Sequence, residues 1–126
     1  MARRSRFIVP KESEEQKALV RWAQLREATL QELDMLVSIP NGGLRNRITG
    51  ALLKSEGARA EFPDLFLFVP RPPYCGLAIE MKRRTGGRLS PEQAWWLERL
   101  QAQGYCVTVS RGFDEARQMI ENYLGK

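Results

Sequence analysis

Asp64, Glu80 and Lys82 are the residues whose types and spacing could do chemistry. Asp64 follows Pro63 at the head of the apolar run Leu65-Phe66-Leu67-Phe68-Val69, and Glu80-Met81-Lys82 closes a second run, Gly76-Leu77-Ala78-Ile79. A Pro- and Arg-rich turn, Pro70 to Gly76, separates them, so the two read as neighbouring strands of one hairpin. Alternation along the second strand sends Ile79 and Met81 to one face and Glu80 and Lys82 to the other. If the strands are antiparallel, the chain enters the first at Asp64 and leaves the second at Glu80 and Lys82, and all three converge on one edge. Two clustered carboxylates repel unless a divalent cation lies between them, and oxygen-only ligation suits magnesium or manganese. A lysine beside them can orient a water or neutralise the charge of a phosphodiester under attack. On Glu-x-Lys alone the bland reading, a surface salt bridge worth little, prevails, because such tripeptides occur by chance. Pro-Asp on the paired strand narrows it.

The elements that must position these groups follow from periodicity and caps. Ser13 with Gln16 makes a capping box, and Ala18, Leu19, Trp22, Ala23, Leu25, Leu30 and Leu33 follow at helical spacing, which predicts one long first helix. Glu12, Glu14 and Glu15 in its first turns are ordinarily explained by the helix dipole. Glu15, however, shares a face with Leu19 and Trp22 and points toward the sheet. Met35 to Ile39 reads as a short strand ended by the turn Pro40-Asn41-Gly42-Gly43, whose bare backbone could approach DNA with Arg45 and Arg47 following to bind phosphate. Ile48 to Gly57 reads as a helix with Gly57 as its stop. Arg83, Arg84 and Arg88 lie in a basic, glycine-containing loop beside the acids, where contact with phosphate outweighs plain solvated surface. Ser90-Pro91-Glu92-Gln93 is a strong helix start, and Trp95, Trp96, Leu97 and Leu100 read as core or interface rather than base-stacking residues. A strand from Tyr105 to Val109 and an amphipathic helix from Phe113 to Leu124 complete an α/β layer: a small mixed central sheet flanked by helices.

Composition sets the outer bounds. At 126 residues and 43% hydrophobic content the chain is one domain, 12–126, preceded by a basic arm, 1–11, that holds Arg3, Arg4, Arg6 and Lys11. A net charge of +5 with pI near 9.6 favours a polyanionic partner. With no histidine, His-based acid/base catalysis is excluded; there is no phosphate-cradling G-x-x-x-x-G-K either. Cys75 and Cys106 read as buried reduced thiols, and two cysteines without histidine argue against zinc. Neither a membrane-length apolar run nor a signal peptide is visible, so a cytoplasmic protein that makes no use of a membrane is expected.

The chain resembles the PD-(D/E)XK nucleases, and within them the VRR-NUC domain, over about Glu12 to Leu124. The resemblance rests on Pro40-Asn41-Gly42-Gly43, Pro63-Asp64-Leu65, Glu80-Met81-Lys82, and Gly87-Arg88-Leu89-Ser90-Pro91-Glu92-Gln93 followed by Trp96-Leu97. It implies a restriction-endonuclease-like core and a Mg2+- or Mn2+-dependent DNA endonuclease. Asp64 and Glu80 would then be metal ligands, assisted by a further glutamate, Glu15 or Glu12, with Lys82 catalytic and Gln93 beside it. Standalone members, typical of phages, look like Holliday-junction resolvases, which implies a homodimer acting on branched duplex DNA; a Trp95-Trp96 pair that one monomer cannot easily hide fits this. The family pattern has a glycine two residues before the motif proline, where this chain has Glu61. That departure and the basic surface motivate the alternative of a catalytically impaired DNA-binding protein of the same fold. A third reading is a protein-interaction module built on Trp95 and Trp96.

Overall fold

The computed structural model describes residues 8–40 and 47–126. Helix α1 spans Glu12–Arg26, a 3-10 turn spans Gln31–Met35, and strand β1 spans Leu36–Ser38. Helix α2, Arg47–Ser55, leads through a loop to β2, Leu65–Leu67, and β3, Leu77–Lys82; α3, Pro91–Ala102, β4, Cys106–Arg111, and α4, Phe113–Leu124, follow. The expected order of elements holds, and the architecture is α/β with a four-stranded mixed sheet in the order β1-β2-β3-β4. β1, β2 and β3 pair antiparallel, with Leu65 opposite Ile79, and β3 pairs parallel with β4 through the connecting helix α3.

β3 is interior, and all six of its residues are buried. Leu65, Leu67, Leu77, Ile79 and Met81 pack with Leu19 and Ala23 of α1 and Ala116, Ile120 and Leu124 of α4 in one apolar core. Removing the side chain of Leu19 or Ile79, each fully buried, would cost about 2–5 kcal/mol through lost transfer energy and the cavity left behind. Alternation sends Phe66, Ala78, Glu80 and Lys82 to the opposite face. That is the face α3 reaches.

Several expectations shift. α1 begins at Glu12 with Lys11 at the cap position, whose backbone N–H is met by Glu14 at 3.3 Å; the Ser13–Gln16 box does not form, and Gln16 reaches the Ser38 hydroxyl instead. The helix also stops at Arg26. Leu30 and Leu33 are buried, but from the following loop and 3-10 turn, so they share the core without sharing the helix. Both cysteines are free, yet Cys75 is exposed beyond the hairpin turn rather than buried. Trp95 stands 47% exposed, Trp96 is half-buried, and Leu97 turns into the interior. No helix among the described residues is long and apolar enough to cross a membrane. Arg3, Arg4, Arg6, Asn41, Gly42, Gly43 and Arg45 lie outside the described residues, as does the side chain of Arg47.

Candidate active site

Asp64 precedes β2, and continuing the antiparallel register from Leu65 and Ile79 sets it against Glu80. β2 ends there, which leaves the Met81 N–H beyond the ladder without a strand to bond. The Asp64 carboxylate supplies that partner, accepting the Met81 N–H at 2.8 Å, while its backbone carbonyl accepts the Ile39 N–H at 2.8 Å. The aspartate is thus held at both backbone and side chain. Glu80, 2% exposed, projects beside it from the buried middle of the sheet.

Glu12 reaches the pair from the first turn of α1. One carboxylate oxygen from each of Glu12, Asp64 and Glu80 lies within 4.8 Å of the others. Sequence reasoning left Glu12 and Glu15 open, because both sit in the same turns of one helix. The structure brings Glu12, and not Glu15, to the acids. Glu15 is 2% exposed but accepts Arg84 Nε at 2.7 Å, Arg84 Nη2 at 3.4 Å and the Phe113 N–H at 3.1 Å, so both oxygens are engaged. Glu15 pins α1 to the loop after β3 and to the start of α4.

Lys82 is 6% exposed and shares the face of Glu80. Its ammonium donates to Gln93 Oε1 at 3.0 Å and stands 3.8 Å from Glu80, too far for a good hydrogen bond. Gln93 Oε1 also accepts the Ser90 N–H at 2.9 Å, and the Gln93 N–H donates to the Ser90 hydroxyl at 3.1 Å. A capping box therefore fixes the amide that holds the lysine.

Electrostatics follow from three acids around one ammonium. Burial, then the charge and hydrogen bond of Asp64, push the Glu80 carboxyl up to about 9, with Lys82 pulling down and Glu12 adding to the rise. Glu12 is also raised, chiefly by burial; Lys82 opposes, and Asp64 and Glu61 add. Three carboxylates and one lysine leave a surplus of two negative charges when ionised, which matches a divalent cation. The donor set fits as well: all ligand atoms are hard carboxylate oxygens, and cation–oxygen bonds of about 2.0–2.6 Å span the separations observed. Asp64, Glu80 and Glu12 are the residues that could hold a divalent cation.

The basic loop is organised by a residue that sequence reasoning missed. Arg111, last in β4, donates to the carbonyls of Gly86 at 2.7 Å, Gly87 at 3.2 Å and Arg83 at 3.5 Å. Gly86 and Gly87 both take positive φ, 71° and 61°, which presents those carbonyls together. Of the three loop arginines, Arg84 is tied to Glu15, Arg83 donates to the Val9 carbonyl at 3.2 Å, and Arg88 is exposed. Glu61 is the one non-glycine residue with positive φ among those described, at 66°. The backbone there takes the left-handed conformation that suits glycine.

An aspartate and a glutamate on adjacent antiparallel strands, with a lysine two residues on, over a mixed sheet flanked by helices, define the PD-(D/E)XK class of nuclease folds. The VRR-NUC domain model matches residues 4–114, and the chain belongs to that family. A solved structure described as a VRR-NUC domain protein is similar at 26% identity and TM-score 0.78, covering 94% of this chain and 91% of that one. No curated protein matches the sequence.

Proposed function

We propose that this nuclease-family protein is a divalent-metal-dependent DNA endonuclease, with residues 12–126 as its one catalytic domain. The observation that carries the reading is the meeting of Glu12, Asp64 and Glu80 within 4.8 Å, beside a buried lysine held by Gln93. Asp64, Glu80 and Glu12 would hold Mg2+ or Mn2+, which supplies Lewis acidity to the scissile phosphate. Lys82 is positioned to donate to the attacking water or to a phosphoryl oxygen as negative charge builds there. Gln93 keeps the ammonium aimed: its carbonyl takes one lysine proton at 3.0 Å, with the Glu80 carboxylate 3.8 Å from the nitrogen. Burial of Lys82 and Glu80 excludes bulk water and strengthens each of these interactions.

Branched duplex DNA is the preferred substrate in this reading, and a two-fold pair of sites would serve its symmetric strands; the motive is the family resemblance. The alternative, a catalytically impaired DNA-binding protein of the same fold, is motivated by Glu61, a non-glycine residue at φ 66°, and by the basic surface. Incubating the protein with labelled four-way junctions and linear duplexes, in manganese or EDTA, tests the proposal. Metal-dependent cleavage that favours the junction is expected. Equal cutting of both substrates would remove the branched-DNA assignment, and binding without cleavage in any metal would favour the alternative.

A further inference from the structure

Beside the acid cluster lies an aromatic, basic groove that the hydrolytic residues do not use. Arg59, Ala60, Pro91, Glu92, Trp95 and Trp96 line an open volume of about 440 Å³. Trp96 is fixed: its indole N–H donates to the Ala60 carbonyl at 3.0 Å, Phe62 packs edge-on at 4.9 Å, and the Arg59 guanidinium covers it at 5.1 Å. Trp95 meets Trp96 edge-to-face at 5.0 Å, carries Arg99 at 6.0 Å and leaves 47% of its surface to solvent. A half-exposed indole braced by a second, immobilised one is a poor way to build a core. It is a good way to build a platform.

The platform's position is the second argument. Pro91 and Glu92 immediately precede Gln93, which holds Lys82, and Arg59 and Ala60 lie on the segment that leads into Pro63 and Asp64. Two arginines flank the indoles and suit phosphates on either side of a stacked base, while Glu92 can accept from an exocyclic amino group. The groove, about 440 Å³, is on the scale of one nucleotide. We infer that Trp95 is a stacking platform for an unpaired nucleobase of DNA lying next to the scissile phosphate.

This inference rests on the nuclease reading for its partner, but its test needs no cleavage. Labelled single-stranded DNA, a blunt duplex and a duplex with one unpaired nucleotide are titrated in EDTA against wild type, Trp95→Ala and Trp95→Phe, with near-UV circular dichroism to check folding. Trp95→Ala should weaken binding to the single strand and to the unpaired-nucleotide duplex about 10-fold or more, and to the blunt duplex less than about twofold. Trp95→Phe should restore most of the affinity, and single-stranded DNA should quench the fluorescence of the wild-type protein. An equal loss on all three DNAs, or no loss on any, overturns the inference. So does a shift from dimer to monomer on sedimentation of Trp95→Ala without selective loss, which would make the groove a self-association face. If wild type never cuts in manganese yet the selective loss is seen, the platform stands and the nuclease proposal falls; cutting without selective loss gives the reverse.

Discussion

Replacing Glu80 by Gln should flatten the pH dependence of stability in the metal-free protein. The Glu80 carboxyl is 2% exposed and faces Asp64 and Glu12, and its pKa rises from an ordinary 4.5 to about 9. A carboxyl whose folded pKa lies above its unfolded value binds its proton more tightly when folded. Its contribution is therefore complete below the unfolded pKa and is lost as pH climbs from there through the folded one. Between about pH 4.5 and about pH 9 the wild-type chain should lose a little over 1 kcal/mol per pH unit, or about 3 kcal/mol by neutrality. That is a large share of the roughly 5–15 kcal/mol typical of a domain. Glutamine keeps the shape, carries no charge and removes this slope; Asp64→Asn should remove only part of it, because burial, the largest cause of the raised Glu80 pKa, remains. Urea unfolding from pH 5 to 9 in EDTA measures both variants against wild type. Manganese should then stabilise wild type, most where the metal-free cluster is ionised and strained, and leave Glu80→Gln almost unmoved. Parallel pH profiles for wild type and Glu80→Gln would refute the reasoning, since the buried carboxyl would then not be storing the repulsion on which the metal site depends.

Other outcomes follow from the same geometry. Lys82→Ala should bind manganese like wild type in calorimetry but cleave about 100-fold more slowly, as when a preorganised electrostatic group is removed; unchanged cleavage would take Lys82 out of the chemistry. Glu61→Gly should raise stability by about 0.5–1 kcal/mol by relieving positive φ, while Glu61→Ala should not, a contrast that thermal melts read directly. Replacing Arg83 and Arg88 together should lower affinity for all DNA sequences alike and flatten the slope of log affinity against log salt by up to about 0.9 for each phosphate that is no longer neutralised. Arg84→Ala should lower the melting temperature at least as much as Glu15→Ala, because it leaves a buried carboxylate without its ion-pair partner, whereas loss of Glu15 frees an exposed guanidinium that can hydrate and leaves one amide, that of Phe113, without its acceptor.

Local signals were the ones that could be read without coordinates. The hairpin of β2 and β3 was legible from two apolar runs and a proline-rich turn, and the start of α3 from Ser90 and Pro91, because each depends on residues a few positions apart. The choice between Glu12 and Glu15 was not, since both lie in the same helical turns and only the docking angle of α1 on the sheet decides which meets Asp64. Arg111 escaped notice for a similar reason: a strand-end arginine looks like any other until the carbonyls of Gly86 and Gly87, about two dozen residues earlier, curl back to it. The Ser13–Gln16 box satisfied the pattern, yet the helix started one residue before Ser13, where a Glu14 carboxylate could reach the Lys11 N–H. Arg84 illustrates the same limit, as membership of a basic loop says nothing about a buried acid waiting on another element.

The bond between the Glu15 carboxylate and the Phe113 amide joins positions 98 residues apart, and it bears on how the protein comes into being. A chain leaving the ribosome exposes the hairpin with Asp64, Glu80 and Lys82 well before α4 has been made. Until then α1 can pack on the sheet but lacks both the apolar face of α4 and the amide that receives Glu15, so the helix that delivers Glu12 is seated only in part. Closure of such a long loop comes late in folding, after the local pairings have formed. The acid cluster thus depends on an element that does not touch it: the hairpin carries Asp64, Glu80 and Lys82, and α4 completes the seat of the helix that brings Glu12.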